Sequence, residues 1–312
     1  MINSFYVEDM TSLRYAIPFI KLTKKLLNLD IPLVYNSTFF TKKYNDINND
    51  INKKRFLEIV TENNIHLIDS SKKSINSEIV ICVENVNKIF YKKLFSVQHG
   101  FDYVNLSKTN KLATYLVTEK YFSDELTKSG IKSLIQPFPI SLWDCYYGLD
   151  KFDFFIDKKT CLLFYIENDV YKNIYFDVQN HIKSLGFNTI IKQRKKHIPI
   201  PEAFDNKFYD QLWYPSESIL LPVISDIIVG FETTAYIDLV HLKRNFYDFS
   251  LNSFVKNIYK PNNKNFIHLS HDNEKSVEMF KSIELPSLSR KEKLGYQIDY
   301  KKIKIFLENI FS

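Results

Sequence analysis

The sequence predicts an α/β protein made of two parallel sheets, each covered by helices on both faces. Three observations carry that reading. Short apolar runs alternate with helical patterns along the chain, as they do where crossover helices join parallel strands. The alternation runs once, breaks near residues 145–158, and starts again. The length of 312 residues suits two domains, each large enough for its own core.

In the first half, Phe5–Val7 reads as a strand. Leu13, Ala16, Ile17, Ile20 and Leu27 then recur at helical spacing until Asp30-Ile31-Pro32 stops them. Leu33–Tyr35 is the next strand, and the Asn- and Lys-rich segment 41–54 is a loop or an exposed helix. Ile65–Ile68, Glu78–Val83, Leu94–Val97 and Thr114–Val117 read as strands. A helix from Tyr121 to Ser129 ends at Gly130, and Leu134-Ile135 precedes the turn-prone Pro137-Phe138-Pro139. In the second half, Thr160–Ile166 is a strong strand. Val170–Leu185 is a helix closed by Gly186, a good residue just past a helix end. Asn188–Ile191, Ile227–Val229, Asn245–Asp248 and Asn265–Leu269 are strands, and a final amphipathic helix spans about Tyr300 to Ile310.

Composition excludes several classes. Hydrophobic content of 45% and charged content of 25% are ordinary for a soluble globular chain. A formal charge of +6 permits an anionic substrate or a loose membrane-surface contact, but it does not demand nucleic acid, and no RNP-type run appears. Cys82, Cys145 and Cys161 lack metal-ligand spacing and read as reduced, buried fillers, so no metal site is expected. Met1–Asp9 lacks the charged and apolar regions of a signal peptide, and no run has transmembrane length. The expectation is a cytoplasmic protein, at most peripheral to the inner face of the cell membrane. There is no dinucleotide fingerprint, P-loop, HExxH or nucleophile elbow, and six glycines leave little for a glycine-rich phosphate cradle.

Three segments carry candidate chemistry. From Ser225 to Asp238, a short strand breaks at Gly230 and a helical pattern opens at Thr233-Thr234-Ala235. A helix start presents N–H groups without partners and partial positive charge, which suits an anion, and the two hydroxyls add donors. Asp238, four residues after Thr234, shares its helical face. A plain Thr-capped turn has the same pattern. Lys192-Gln193-Arg194-Lys195-Lys196-His197 follows a strand. Alternation puts Lys192 and Arg194 on one side, where they suit a diphosphate, with Arg able to bind bidentately; a solvated loop has the same composition. Gln98-His99-Gly100 also follows a strand, so His99 is a candidate general base, or else a capping histidine. Glu232 can accept from ribose or acceptor hydroxyls or cap a free N–H. Glu8, Asp9, Glu167, Asp169 and Glu202 share only strand-end or loop positions.

With these residues in view, the chain resembles GT-B-type transferases of bacterial surface polysaccharides, in particular the CDP-glycerol glycerophosphotransferase relatives of teichoic-acid synthesis and the capsule glycosyltransferases. Val97–Gly100, Tyr115–Phe122 and Asp226–Asp238 carry the resemblance. Thr233 and Thr234 match the family's paired hydroxyls, Asp238 its helix Asp, and His99 its histidine after an N-domain strand. Lys192-Gln193-Arg194 is similar to the Lys-x-His-Pro donor site, with Arg194 where His is usual. Gly230-Phe231 stand where the family has Thr-Asp, and Glu232 where it has Tyr.

The resemblance implies two Rossmann-like domains facing a cleft. Residues 1–148 would be the acceptor domain and 149–285 the nucleotide-donor domain, with 286–312 a helical segment packing near the junction. It implies transfer of a sugar or polyol phosphate from a nucleotide-activated sugar or CDP-polyol donor to a glycan or lipid-linked glycan. Lys192, Arg194, Thr233 and Thr234 would bind the donor, and His99, Asp238 and Glu232 would be catalytic. No cofactor and no obligatory metal are implied. A UDP-sugar 2-epimerase of the same fold and a non-catalytic binding module are the alternatives.

Overall fold

In the computed structural model the chain divides into two compact units, one formed mainly by Met1–Asp144 with Ile298–Ser312, the other by Cys145–Gln211 with Pro215–Gln297. The structure describes residues 2–8, 12–38, 49–83, 89–98, 110–143, 149–165, 171–193, 207–209, 217–231, 233, 239–250, 266–269, 273–295 and 297–312.

The first unit contains strands β1 (Ile2–Val7), β2 (Leu33–Tyr35), β3 (Leu67–Asp69), β4 (Ile75–Cys82), β5 (Ile89–Val97), β6 (Thr114–Val117) and β7 (Ser133–Ile135). They form one sheet in the order β3-β2-β1-β4-β5-β6-β7, and every pairing is parallel. Phe5, Leu33, Val34, Ile81 and Leu116 are fully buried, as the near-continuous apolar reading of its strands requires of a sheet covered on both faces. The helix Leu13–Leu27 buries Ala16, Ile17, Phe19 and Ile20 and ends at Asn28, which adopts a left-handed φ of 52°; Asn takes that conformation more readily than most residues because its short amide bonds locally. The last helix, Tyr300–Phe311, belongs to this unit. Its buried Ile303, Phe306, Leu307 and Ile310 form one stripe. Phe311 lies 6.2 Å from the Phe19 ring, and Phe306 lies 6.2 Å from Trp143.

The second unit holds β8 (Thr160–Tyr165), β9 (Asn188–Gln193), β10 (Lys207–Tyr209), β11 (Ile227–Gly230), β12 (Asn245–Asp248) and β13 (Phe266–His268). Their order is β10-β9-β8-β11-β12-β13, again parallel throughout. One face carries Leu163, Ile191, Val229, Phe231 and Phe249 into a core shared with Tyr171, Tyr175, Val178 and Phe280. Phe231, immediately past β11, stacks on Phe249 with ring centroids 5.0 Å apart and meets the tilted ring of Tyr175 at 4.2 Å. The helix Lys172–Ser184 is followed by Gly186 at φ 80°, where a Cβ would be strained.

Several elements differ from expectation. The strand expected at Ile65–Ile68 is Leu67–Asp69, and β5 begins five residues earlier than Leu94, at Ile89. Its added residues include the exposed Phe90, so the apolar run marks only the buried end. The Ile219–Val223 stretch, assigned to no element from sequence, is a helix, Glu217–Ile224, that runs through Pro222. Its residues 219–224 are buried, and an apolar run buried all round has no period to separate helix from strand. β10 and the helices Asn273–Lys281 and Arg290–Leu294 had no counterpart in the sequence reading.

The amino edge of the second sheet is held by a buried ion pair. Asp226, just before β11, lies 2.8 Å from Lys293 Nζ, and both side chains are essentially unexposed. The carboxylate also accepts from the Thr160 N–H at 2.6 Å and the Leu288 N–H at 2.5 Å. Lys293 donates to the Lys158 carbonyl at 2.6 Å, and Arg244 donates to the Lys293 carbonyl at 2.5 Å. Burial lowers the Lys293 pKa and Asp226 opposes that shift. The helix that supplies Lys293 starts with a capping box between Ser289 and Glu292.

The carboxyl ends of β2 and β3 are fastened differently. Asp69 Oδ1 accepts from the Ser37 N–H at 3.2 Å, the Ser71 N–H at 2.9 Å and the Ser71 hydroxyl at 2.7 Å. Burial raises the Asp69 pKa, but the bonds from Ser37 and Ser71 together outweigh it and bring the value from 3.8 to about 2.

Two outcomes follow. Lys293→Met leaves the Asp226 charge buried without its partner and lowers stability by about 3–5 kcal/mol, read as a fall in the urea midpoint. Arg290→Ala, which breaks exposed pairs to Asp153 and Asp157, costs under about 1 kcal/mol in the same titration. For Asp69 the folded pKa is depressed, so its contribution is present above the unfolded value near 3.8 and is lost as pH falls through about 2. Asp69→Asn, which keeps an acceptor at Oδ1, flattens the acid limb of melting temperature against pH.

Candidate functional site

In open parallel sheets, ligands bind outside the carboxyl ends of the strands, where the strand order reverses. In the first sheet that point lies at β1, flanked by β2 and β4; in the second it lies at β8, flanked by β9 and β11. The carboxyl edges of the two sheets are therefore where functional side chains are sought.

At the edge of the second sheet, Lys192 is in β9 and is buried, with its Nζ 3.4 Å from the Gln193 carbonyl. Lysine is rarely fully buried, because removing an ammonium from water is costly unless it is paired or bonded. Gln193, fully buried, is the last residue of β9. Gly230 ends β11 between Phe164 of β8 and Asp248 of β12. Phe231 turns into the core and Thr233 follows, half-buried. At β12, Asp248 is fully buried and accepts from the Ser250 N–H at 3.0 Å and from the Ser250 hydroxyl. His268, the last residue of β13, has Nδ1 2.7 Å from Asp248 Oδ2 and a side chain only 4% exposed.

At the edge of the first sheet, Gln98 follows β5 directly. Its Oε1 accepts from the Thr118 N–H at 3.1 Å and from the Thr118 hydroxyl at 3.4 Å. Gln136 donates to the Leu116 carbonyl at 2.8 Å and accepts from the Ile140 N–H at 3.1 Å. These buried carboxamides tie together the chain segments that leave β5, β6 and β7. They also fix the residue next to His99.

Of the residues selected from sequence, Lys192 and Thr233 both fall at the carboxyl edge of the second sheet. Arg194, Thr234, Glu232, Asp238 and His99 lie outside the described residues, as do Gly100, Asp9, Cys145, Glu167, Asp169 and Glu202. Glu8 directly follows β1 and is half-buried. Cys82 and Cys161 are buried free thiols; burial, with Asp226 as the lesser cause, pushes the Cys161 thiol well up, away from the reactive thiolate. Asp226 itself sits at the amino edge, far along β11 from Thr233, in a structural role. Sequence reasoning passed over Gln98, Gln136, Asp248 and His268. Asp248 is a polar residue at the end of the recognised run Asn245–Asp248, and His268 is the polar residue next to the end of Asn265–Leu269.

No protein-family model matches the sequence, and no curated protein matches it. Solved structures match over nearly the whole chain. The UDP-GlcNAc 2-epimerase of Methanocaldococcus jannaschii, in complex with UDP-GlcNAc and UDP, matches with a TM-score of 0.57 at 12% identity, over 100% of both chains. The UDP-GlcNAc 2-epimerase from Neisseria meningitidis bound to UDP-GlcNAc gives 0.57 at 12% identity over 99% of both. The wall teichoic acid polymerase TagF gives 0.51 at 14% identity, over 98% of this chain and 83% of that one. Among the described residues no helix is long and apolar enough to cross a membrane. At such identities the likeness is one of fold, and the fold is α/β of the GT-B type, with two Rossmann-like units.

Proposed function

We propose that this protein is a nucleotide-sugar-dependent transferase of surface-polysaccharide synthesis. It would move a sugar or polyol phosphate from a nucleotide-activated donor to a glycan or lipid-linked glycan acceptor. One observation supports this reading above the others. A buried lysine, Lys192 of β9, and the hydroxyl residue Thr233, just past the end of β11, stand at the carboxyl edge of a sheet ordered β10-β9-β8-β11-β12-β13, on either side of its switch-point strand β8. A cation and oriented donors stabilise the negative charge that develops on a departing diphosphate. In this reading Lys192, Arg194, Thr233 and Thr234 hold the donor phosphates and His99 takes the proton of the acceptor hydroxyl. Asp238 and Glu232 orient hydroxyls of donor or acceptor. The likeness to enzymes that carry UDP-GlcNAc and to a teichoic acid polymerase supports a nucleotide-linked donor.

A second reading, a UDP-sugar 2-epimerase, is favoured by one observation. The epimerase folds match over the full length of both chains, whereas the polymerase chain extends beyond the match. Product formation separates the two readings. An epimerase converts its nucleotide sugar with no acceptor present, and a transferase does not.

The test begins with thermal stabilisation by CMP, CDP, UDP, GDP and ADP. A ligand at a hundred times its Kd adds about 2.7 kcal/mol to apparent stability, so one nucleotide class stands out. Thr233→Ala combined with Thr234→Ala weakens that binding by roughly tenfold while the ligand-free melting temperature stays unchanged. Stabilisation by none of the five would defeat the nucleotide reading.

His99→Ala lowers turnover by roughly 10²–10⁴-fold, the scale of general-base catalysis, and leaves nucleotide affinity intact. His99→Asn does not restore the rate, because an amide cannot take a proton at neutral pH. Full activity in His99→Ala would move the base elsewhere.

A further inference from the structure

The positive charge of the chain is not shared evenly between its two units. The first unit has 22 Lys and Arg against 17 Asp and Glu, a surplus of +5, whereas the second has 20 against 19, a surplus of +1. Part of the surplus lies on one face of the first unit, where the end of the helix Leu13–Leu27 meets the start of the helix Tyr300–Phe311. Lys25 Nζ lies 4.6 Å from the centroid of the Tyr300 ring and joins the two helices. Lys24 and Lys25, in the last turn of one helix, are exposed, as are Lys301, Lys302 and Lys304 at the start of the other. Asp30, Asp299 and Glu308 pair with Lys24, Lys302 and Lys304 at 2.7, 3.6 and 3.9 Å. Exposed pairs of this kind hold each other weakly, so the lysines stay open to another anion.

The same face exposes apolar surface. Tyr300 is 42% exposed and Ile305 is 50% exposed, while Ile303, Phe306, Leu307 and Ile310 form the buried stripe of that helix. Helical spacing puts Lys304 beside Tyr300, and Ile305 beside Lys301. A ring and an aliphatic side chain framed by lysines suit a bilayer surface. The apolar parts reach the boundary between headgroups and acyl chains, and the ammonium groups stay in water beside the lipid phosphates. A soluble polyanion meets the lysines alone and leaves Tyr300 and Ile305 in water.

We propose that this face docks the first unit on an anionic membrane surface, with Lys24, Lys25, Lys301 and Lys304 on the lipid phosphates and Tyr300 and Ile305 in the headgroup layer. The inference goes beyond the nucleotide reading and does not need it, since it stands on charge and exposure alone. A membrane-docked protein meets lipid-linked acceptors without a search through solution. Each lysine close to an anionic bilayer strengthens binding by roughly fivefold. That attraction extends only over a Debye length, so added salt weakens it.

The full chain is sedimented with vesicles of phosphatidylcholine mixed with phosphatidylglycerol, and with vesicles of phosphatidylcholine alone. The parent binds the mixed vesicles at about 0.1 M salt, releases them at about 1 M, and ignores the neutral ones. Lys301→Gln combined with Lys304→Gln lowers the affinity for mixed vesicles roughly 25-fold. Its melting temperature matches the parent's, because Gln and Lys are similar helix formers. Ile305→Ser lowers the affinity roughly threefold or more, through the lost apolar contact. The control, Lys159→Gln with Lys291→Gln, removes the same charge from exposed positions of the second unit and keeps the affinity within about twofold. Equal losses in the two double variants would reduce the effect to overall charge and overturn the inference. So would equal binding to neutral vesicles, no binding to mixed ones, or full affinity in Ile305→Ser. Binding of soluble polyphosphate in place of vesicles would assign the face to a soluble polyanion and overturn it as well. Nucleotide stabilisation of the same variants is read separately, so the nucleotide reading stands or falls on its own.

Discussion

The buried Asp226–Lys293 pair sets the second unit's geometry from its amino edge. Asp226 precedes β11 and binds the backbone of Thr160, the first residue of β8. The strand at the switch point and its neighbour β11 are therefore clamped to each other before either reaches its carboxyl end. A one-residue slip in a sheet would turn every side chain to the opposite face. With β8 and β11 locked, Gly230 comes opposite Phe164, and β12 and β13 carry Asp248 and His268 into the same row. Replacing such a pair by apolar residues is often neutral or favourable, whereas removing one partner is not. Its value here is as a register device, since the Thr160 and Leu288 amides share the same carboxylate.

Structural charge and candidate functional charge lie at opposite ends of the same strands. At the amino edge, Asp226 pairs with Lys293, and Lys293 and Arg244 donate to backbone carbonyls, so that little remains to meet a ligand. At the carboxyl edge, the buried Lys192 lies on one side of a glycine and the bonded Asp248–His268 pair on the other. Both sets are costly to remove from water. The first is compensated within itself, and in the second Lys192 stands apart from the Asp248–His268 pair.

Much of the fold was legible in the chain because parallel sheets give the strongest local signal. Ile227–Val229, Thr160–Tyr165 and Leu33–Tyr35 are apolar on both faces and bounded by turn residues, so their strands emerged close to their observed limits. Elements with weak period or partial exposure did not. Lys207–Tyr209 is too short to show alternation, and the helix Glu217–Ile224 is apolar all round, so periodicity could not classify it. The Ser289–Glu292 capping box was written in the sequence as Ser-Arg-Lys-Glu, but no apolar run followed to draw attention to it.

The site was legible only in part, for a different reason. Lys192 and Thr233 could be found because a cation cluster and a strand-to-helix break are local patterns. Asp248 and His268 are twenty residues apart in sequence, and each alone is an ordinary strand end. What brings them together is strand order: β13 pairs with β12 and with no other strand among those described. A crossover rule can place consecutive strands side by side, yet it cannot say that residue 248 meets residue 268 rather than 266 or 267. That depends on the register inherited from the β11–β12 pairing and, through β11, from the clamp at Asp226. A distant buried ion pair thus decides which imidazole a carboxylate orients, and the candidate chemistry at one edge of the sheet depends on the electrostatics at the other.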